Sequence, residues 1–463
     1  MKQNKWGTRF GFYLAAMGSA FGLGSLWRFP YIVAENGGGA FVLLYAALVF
    51  VVGIPLLIAE LMLGKSTRRS VLKALLLMRE GGPFTKPFPQ NALLSFLYKS
   101  IPWAGRLSLF VNISVLSYYA VICGWVLFFL IHFLLSYMGV QSLDAFHSLS
   151  FLLSHGLLQA LLAGLHILLV SFIVGKDVEN GIEKWIGYIM PVFGVLLFVL
   201  IHKSLTVGDH MSALRFLFYP DFSKLKLSSL AQAIGHVFFA LSLGFGTIVT
   251  FGSYLNDRTY VPLASVRVAT LDSLISILAG LLVFPLVFSI TKDILGPTLM
   301  FKTVPLFFSQ IEGGVLLGIG FFLCMYLAAL SASVGLFETV VANLRETYLE
   351  KRLHGVLFTG IGCFLLSWFP AFSSSYLKNW QWRGKGLLEV LDDILINWTL
   401  PLVALAISFI VFGRLSDEVK KKEFFKEPQK ASRLLFKHWI FALKWIAPTI
   451  IIFALVLQLI DIL

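Results

Sequence analysis

Charged side chains are scarce in this chain. Asp, Glu, Lys and Arg make up 13% of its 463 residues, and acidic residues are the fewer, 24 against 37 basic. A soluble protein of this length could not clothe its surface with so few charges, which sets the soluble globular classes aside. Cysteine is scarcer still: Cys123, Cys324 and Cys363 lie singly in apolar stretches, without CxxC or metal-ligand spacing. They read as small core residues rather than a disulfide framework or a zinc site. The chain also lacks a phosphate-binding glycine loop, a zinc motif and any Ser/His/Asp set, so neither ATP-driven work by this chain alone nor enzymatic catalysis has a basis in the sequence. Apolar residues, by contrast, are abundant. They make up 58% of the chain, and the mean hydropathy is +0.85, the composition of a polytopic membrane protein.

A helix crossing the hydrocarbon core needs about 20 apolar residues. On that measure eleven spans fall near 8–35, 38–63, 106–136, 153–174, 184–203, 228–254, 262–292, 312–346, 354–371, 387–413 and 438–461. The first apolar run continues through a glycine-rich interruption, unlike a cleaved signal peptide. Basic residues gather at Lys2, Lys5 and Arg9, at Lys65, Arg68, Arg69, Lys73 and Arg79, at Lys351 and Arg352, and at Lys420, Lys421, Lys422 and Lys426. The loop 137–152 has none. Lys and Arg accumulate on the cytoplasmic side. The protein is therefore expected to be multi-pass in the plasma (inner) membrane, N-terminus cytoplasmic and C-terminus external. The net charge of +13 comes largely from these juxtamembrane clusters and implies no nucleic-acid partner.

Two spans are broken at their centres. One reads Met17-Gly18-Ser19-Ala20-Phe21-Gly22-Leu23-Gly24-Ser25, the other Phe239-Ala240-Leu241-Ser242-Leu243-Gly244-Phe245-Gly246. Glycine weakens a helix, and in hydrocarbon unwound backbone is tolerated only where it is buried in protein or lines a cavity. Such breaks in both halves of a membrane protein indicate a polar solute bound at mid-membrane, hence a transporter. Residues 1–203 (helices 1–5) and 228–413 (helices 6–10) each open with a broken helix. An odd number of spans per half makes the repeat inverted, with 438–463 an additional helix outside it. The basic stretch 64–105 suits a loop with a short surface helix. Residues 293–311, with Gly296-Pro297 and Pro305, are expected to form a re-entrant or hairpin-like external loop, and 414–437 a charged cytoplasmic linker.

The chain resembles the neurotransmitter:sodium symporter family, bacterial amino-acid transporter branch. The resemblance is carried by Trp6-Gly7-Thr8-Arg9, Gly22-Leu23-Gly24-Ser25-Leu26-Trp27-Arg28-Phe29-Pro30 and Glu35-Asn36-Gly37-Gly38-Gly39-Ala40-Phe41. Further matches are Gly53-Ile54-Pro55-Leu56 with Glu60, Ser117-Tyr118-Tyr119, Phe238 to Gly246, and Ala328 to Glu338, so that helices 1 to 10 are covered. It implies an all-α membrane protein with the inverted five-plus-five leucine-transporter fold. The implied activity is ion-gradient-driven symport of a neutral, mostly apolar L-amino acid by alternating access. A transporter-derived binding protein or sensor that has lost ion coupling is the alternative. Which amino acid is carried, and the oligomeric state, are not legible in the sequence.

The residues support that reading directly in part. The half-helix after Gly24 offers free N–H groups and a positive dipole end to a carboxylate, and carbonyls at Ala20, Phe21 and Phe239 can receive an ammonium group or a cation. By resemblance, Tyr119 holds the substrate carboxylate. Phe239 and Phe245 form the lid and wall, and Val115, Ile122, Ser242 and Leu336 line the side-chain pocket with Ala20, Gly22, Leu23 and Gly24 around the backbone. Monoamine transporters carry Asp at the position of Gly22, so glycine there is expected to leave room for a substrate bringing its own carboxylate. Arg28 and Asp392 resemble an outer gate, with Glu389 one turn away. Glu346 resembles the acid of an inner gate beside Ser253 and Tyr254. Gln3 stands where its usual Arg would be, leaving Lys2 or Lys5 as partner, and Trp6 resembles a plug of the inner vestibule. Glu60 resembles the carboxylate that holds a broken helix, and Glu338 a residue of the inward path.

The ion sites depart from the family. In the substrate-linked sodium site, Ser25, Ala240 and Asp272 stand where Asn, Thr and Asn supply oxygen beside Ala20, and His236 replaces a neighbouring Gln. Ser276 with Tyr45 would suit chloride, but a negative charge at Asp272 would repel it, so the reading leans against a chloride requirement and leaves the matter open. His236 and Asp272 are either a proton-carrying substitute for sodium or a buried hydrogen bond in a vestigial site. The second site keeps Gly18, Phe21, Ala328 and Ser331, with Ala332 in place of a usual Ser. One sodium ion per cycle is expected, at this second site.

Overall fold

The computed structural model describes residues 5–87, 99–140, 145–290, 299–349, 351–426 and 433–462. Among these residues all longer elements are helices, and the extended pairings are two single bridges, Thr85 with Leu415 and Trp382 with Lys385. The chain opens with α1 (Arg9–Ala20) and α2 (Gly24–Glu35), which bend by 42° at their junction. It continues through α3 (Gly39–Thr67), α4 (Val71–Glu80), α5 (Ile101–Tyr137), α6 (Ala145–Ser154), α7 (Gly156–Gly175), α8 (Val178–Val207) and α9 (His210–Phe218). The second half holds α10 (Leu227–Ala240), α11 (Thr247–Ser253), α12 (Val261–Phe288), α13 (Leu299–Gln310) and α14 (Gly314–Thr347). It ends with α15 (Arg352–Phe372), α16 (Leu387–Gly413), α17 (Asp417–Phe424) and α18 (Arg433–Ile460). Among the described residues nine helices are long and apolar enough to cross a membrane, and the bent pair α1–α2 makes a tenth span. The pair α10–α11 lies on either side of the second break.

Several boundaries differ from the hydropathy reading. The fifth span begins at Val178, because Asp177 accepts from the Asn180 N–H at 2.7 Å and caps the helix ahead of its apolar run. The third begins at Ile101, with Pro102 in its first turn, where a missing N–H is harmless. The helix expected on the surface of 64–105 is α4, and it is packed inward: Val71, Leu72, Ala74, Leu75 and Met78 are buried. In the expected hairpin loop 293–311, residues 299–310 are helical, while Gly296-Pro297 lies outside the described residues. The charged linker 414–437 contains α17, docked by the Lys65–Glu423 ion pair and by Lys420, whose ammonium donates to the Phe412 carbonyl at 3.0 Å.

Four spans share a device that hydropathy does not reveal. Wide π turns at Gly24–Arg28, Val49–Gly53, Asp393–Thr399 and Ala442–Ile446 each end two residues before a proline: Pro30, Pro55, Pro401 and Pro448. Proline has no N–H to continue the α ladder, and its ring crowds the preceding turn. Widening that turn by one residue relieves the clash inside a continuous helix.

The long helices α5 and α14 pack along each other, with α7 and α15 beside them. Elsewhere small residues let backbones touch. A side chain on Gly64 of α3 would strike the Val249 carbonyl of α11, and a Cβ on Gly252 would stand 2.8 Å from the Leu61 carbonyl. This holds α11, the half-helix after the second break, against α3.

Candidate functional site

The two breaks meet at the centre of the bundle. The Ser242 hydroxyl donates to the Ser19 carbonyl at 3.2 Å, tying one interrupted helix to the other. The second break runs through left-handed backbone at Ser242 (φ 54°), Gly244 (φ 80°) and Gly246 (φ 74°). Its exposed amides and carbonyls find specific partners. Glu60 accepts from the Gly244 N–H at 2.8 Å, and the Asn112 side-chain amide donates to the Phe245 carbonyl at 3.2 Å. Glu60 thus has the expected geometry of a carboxylate holding a broken helix. At the first break the Leu23 N–H donates to the Tyr119 hydroxyl at 2.8 Å. The expected substrate residues Ala20, Leu23, Val115, Tyr119, Ile122, Phe245 and Leu336 are all buried together with the break glycines.

One expectation needs correction. The space beside Gly22 is tight, not open. A Cβ there would stand 2.5 Å from the Tyr119 hydroxyl and 2.6 Å from the Ala332 methyl. Glycine at this position is required for close approach of α5 and α14, whatever the substrate brings.

The Arg28 end of the site is closed in layers. Phe239 lies over Gly24, where a Cβ would come within 2.8 Å of its ring, and the Phe245 ring is centred 6.2 Å from it. Above them the Arg28 guanidinium sits 5.7 Å from the Phe239 ring centre and pairs with Asp392 at 3.4 Å. Asp392 also accepts from the Tyr118 hydroxyl at 2.8 Å, and Arg28 donates to the Asn397 side chain at 3.3 Å. Glu389 does not join this pair. It accepts from the Gly386 N–H at the start of its own helix and lines a vestibule of about 280 Å³ outside the gate.

The Trp6 end is closed as well. Trp6 is buried, its indole N–H donates to the Phe251 carbonyl at 3.2 Å, and its ring packs edge-on to Phe251 and Tyr254. Glu183 accepts from the Gly7 and Thr8 N–H groups at 2.8 and 3.0 Å, fixing the residues that follow the plug. The acid joined to Tyr254 is Glu338, which accepts from its hydroxyl at 2.8 Å and pairs with Arg352. Glu346, expected beside Ser253 and Tyr254, is close enough to act on Tyr254 electrostatically, but it accepts its hydrogen bonds from the Ser70 N–H and hydroxyl at 2.9 and 2.8 Å, capping α4. Ser253 turns back to the Thr250 carbonyl at 2.6 Å. Of the two lysines expected to serve Glu346, Lys5 is exposed and Lys2 lies outside the described residues.

At the altered ion site, Asp272 accepts from the Ser25 hydroxyl at 3.1 Å and the Tyr45 hydroxyl at 3.2 Å. The expected His236–Asp272 hydrogen bond is not formed. Neither ring nitrogen of His236 has a partner among the described residues, and the imidazole lies against the rings of Phe29 and Tyr45. The Asp272 oxygens face hydroxyl donors of two other helices instead. The buried Ser276 hydroxyl is also unpartnered, and Ala240, likewise buried, brings no oxygen of its own side chain. At the second site a Cβ on Gly18 would strike the Ser331 hydroxyl, so the glycine is needed for the two helices to meet there. Phe21 ends α1 with a non-helical ψ of 63°, Ala328 is fully buried, and Ser331 also faces the Met190 sulfur at 3.7 Å.

The sodium:neurotransmitter symporter family profile matches residues 3–145 and 137–462. The chain belongs to this family of sodium-coupled transporters. An uncharacterized sodium-dependent transporter of Bacillus subtilis is 31% identical to this symporter over 453 residues, covering 97% of this chain and 96% of the relative. One from Haemophilus influenzae is 30% identical over 460 residues, with 97% of each covered. Among solved structures, MhsT in complex with L-phenylalanine is similar at a TM-score of 0.86 and 32% identity, over 98% of this chain and 99% of that one. The fold of the symporter is accordingly the inverted five-plus-five repeat with broken first and sixth spans, a multi-pass membrane architecture.

Four residues at the two closed ends escaped the sequence reading. Arg352 counted only as a juxtamembrane charge, and Tyr118, Asn397 and Glu183 carried no assigned role. Tyr118, Asn397 and Glu183 meet partners far away in sequence (Glu183 meets Thr8 across 175 positions), so spacing holds no trace of them, and Arg352 reaches Glu338 across 14 positions that include the end of α14. The one usable signal was the rarity of acids within spans, which singled out Glu338 without naming its cation.

Proposed function

We propose that this symporter carries a neutral, largely apolar L-amino acid, driven by sodium. The carrying observation is the cradle at the first break, where the Tyr119 hydroxyl meets the Leu23 N–H at the start of a half-helix beneath an aromatic lid. That arrangement favours a carboxylate, and the walls around it are apolar. MhsT in complex with L-phenylalanine and the bovine neutral amino acid transporter B(0)AT2, 26% identical over 312 residues, are consistent with the substrate class. The Trp6 end faces the cytoplasm in this reading, and the Arg28 end faces outside. One sodium ion binds near Gly18, Phe21, Ala328 and Ser331. Asp272 and His236, which share contacts with Tyr45, take the place of a second ion, and chloride is not required.

Thermal unfolding of the purified protein with apolar amino acids, in sodium, potassium or choline, tests this. Stabilisation should need the amino acid and sodium together, and uptake should follow sodium with a Hill coefficient near one. Equal stabilisation by decarboxylated analogues would remove the carboxylate assignment. Substrate stabilisation indifferent to sodium would favour the binding-protein or sensor reading, to which the altered first ion site lends support.

A further inference from the structure

A groove of about 660 Å³ lies on the outer surface of the bundle, between the first turns of α5 and the second half of α16. It shares no residue with the substrate cradle or either gate. Its walls are apolar, formed chiefly by Trp103, Leu107, Phe110, Leu402, Ala406 and Phe409. Several of these are strongly exposed, Trp103 at 67% and Phe110 at 61%. In a membrane protein such a surface meets lipid chains. The lining contains one cation, Arg106, whose guanidinium lies 4.9 Å from the Trp103 ring centre. Among the described residues Arg106 has neither an acidic partner nor a hydrogen bond. Lys99 is exposed just before the helix, and Ser100 lines the groove mouth.

We infer that this groove is a binding site for an anionic phospholipid, with an acyl chain along the apolar walls and the phosphate on Arg106. An arginine set into the lipid-facing surface is costly unless it reaches the headgroup layer or finds an anion. Arg106 sits little more than one turn inside α5, so its side chain can extend to the interface, where a phosphate offers paired oxygens that match a guanidinium. Trp103 lies at the same depth, where amphipathic rings gather. Basic pockets between spans on the cytoplasmic side suit anionic headgroups. The chain just before Lys99 is the competing occupant. Residues 88–98 contain no Asp or Glu, so they cannot neutralise Arg106 or Lys99, whereas an anionic lipid can. Assignment to the cytoplasmic leaflet rests on the orientation proposed above.

The test titrates the purified full-length protein with dioleoylphosphatidylglycerol or dioleoylphosphatidylcholine and counts adducts by native mass spectrometry. Phosphatidylglycerol should bind severalfold more tightly. Arg106→Gln should weaken it about fivefold, the weight of one basic residue near an anionic surface, and leave phosphatidylcholine unchanged. Ala406→Trp, which fills the groove, should weaken both lipids. Amino-acid-dependent thermal stabilisation of both variants reports that they fold. Equal binding of the two lipids, unchanged phosphatidylglycerol binding in both variants, or no lipid bound to the wild type because residues 88–98 fill the groove, would each overturn the site. Orientation is read separately, by labelling Lys99→Cys in intact cells with an impermeant maleimide. Labelling from outside would move the site to the other leaflet without altering these lipid preferences.

Discussion

The Tyr119 hydroxyl accepts from the Leu23 N–H at 2.8 Å, so its own proton stays available to donate to a carboxylate. Tyr119→Phe removes that donor and leaves the Leu23 N–H unpaired. Amino-acid affinity should fall about tenfold or more, as for loss of one hydrogen bond to a charged group, measured by substrate-dependent thermal shift or competition binding. His236 is a different case, a fully buried imidazole whose nitrogens have no partner among the described residues and whose ring packs on Tyr45, the tyrosine that holds Asp272. If His236 and Asp272 carry a proton inward in place of a second cation, uptake falls as external pH rises. His236→Gln should flatten that profile at constant sodium, and an unchanged profile would end the substitution idea. These residue identities were legible because acids and histidines in apolar spans are rare. Their partners were not legible: neither Glu346 capping α4 nor Asp272 meeting Ser25 and Tyr45 leaves any mark in local spacing.

Among elements, the broken helices were the most readable feature, since paired glycines rarely sit inside an apolar run unless the helix opens there. The second break depends on left-handed backbone at Gly244, where φ is 80°, the N–H is held by Glu60, and a Cβ would stand 2.8 Å from the Leu400 carbonyl. Gly244→Ala should therefore destabilise by about 1–2 kcal/mol from backbone strain alone, with the contact adding to it. Lower thermal stability and lost substrate binding would register the effect, and a variant as stable as the parent would mean that the break can relax. The packed face of α4 and the docked helix α17 were harder to read. Their apolar or charged patterns are short, and tertiary contacts with α5, Lys65 and Phe412 decide where they lie.

At the scale of the whole molecule, both ends of the pathway are shut at once. Arg28 and Asp392 close one, and Trp6 with the Tyr254–Glu338–Arg352 chain closes the other. Transport requires that each end open while the other holds. Glu338→Gln removes the charge that binds Arg352 and weakens the hold on Tyr254, so the Trp6 end should open more often. A cysteine introduced by Ser253→Cys, read with a membrane-permeant thiol reagent, should react several times faster in the Glu338→Gln background. No acceleration would assign Glu338 to folding rather than gating. Each π turn ahead of a proline also stores one residue more than an α-helix of the same reach requires. A chain that loses one residue there, for example exposed Val51 in Val49–Gly53, would return to an ordinary turn with Tyr45 and Glu60 keeping their faces, at the cost of the Pro55 ring clash that the wide turn relieves. The same loss in a regular stretch of helix would rotate everything downstream by about 100°. These four joints are therefore where a span of this chain can lose a residue while the pathway inside stays aligned.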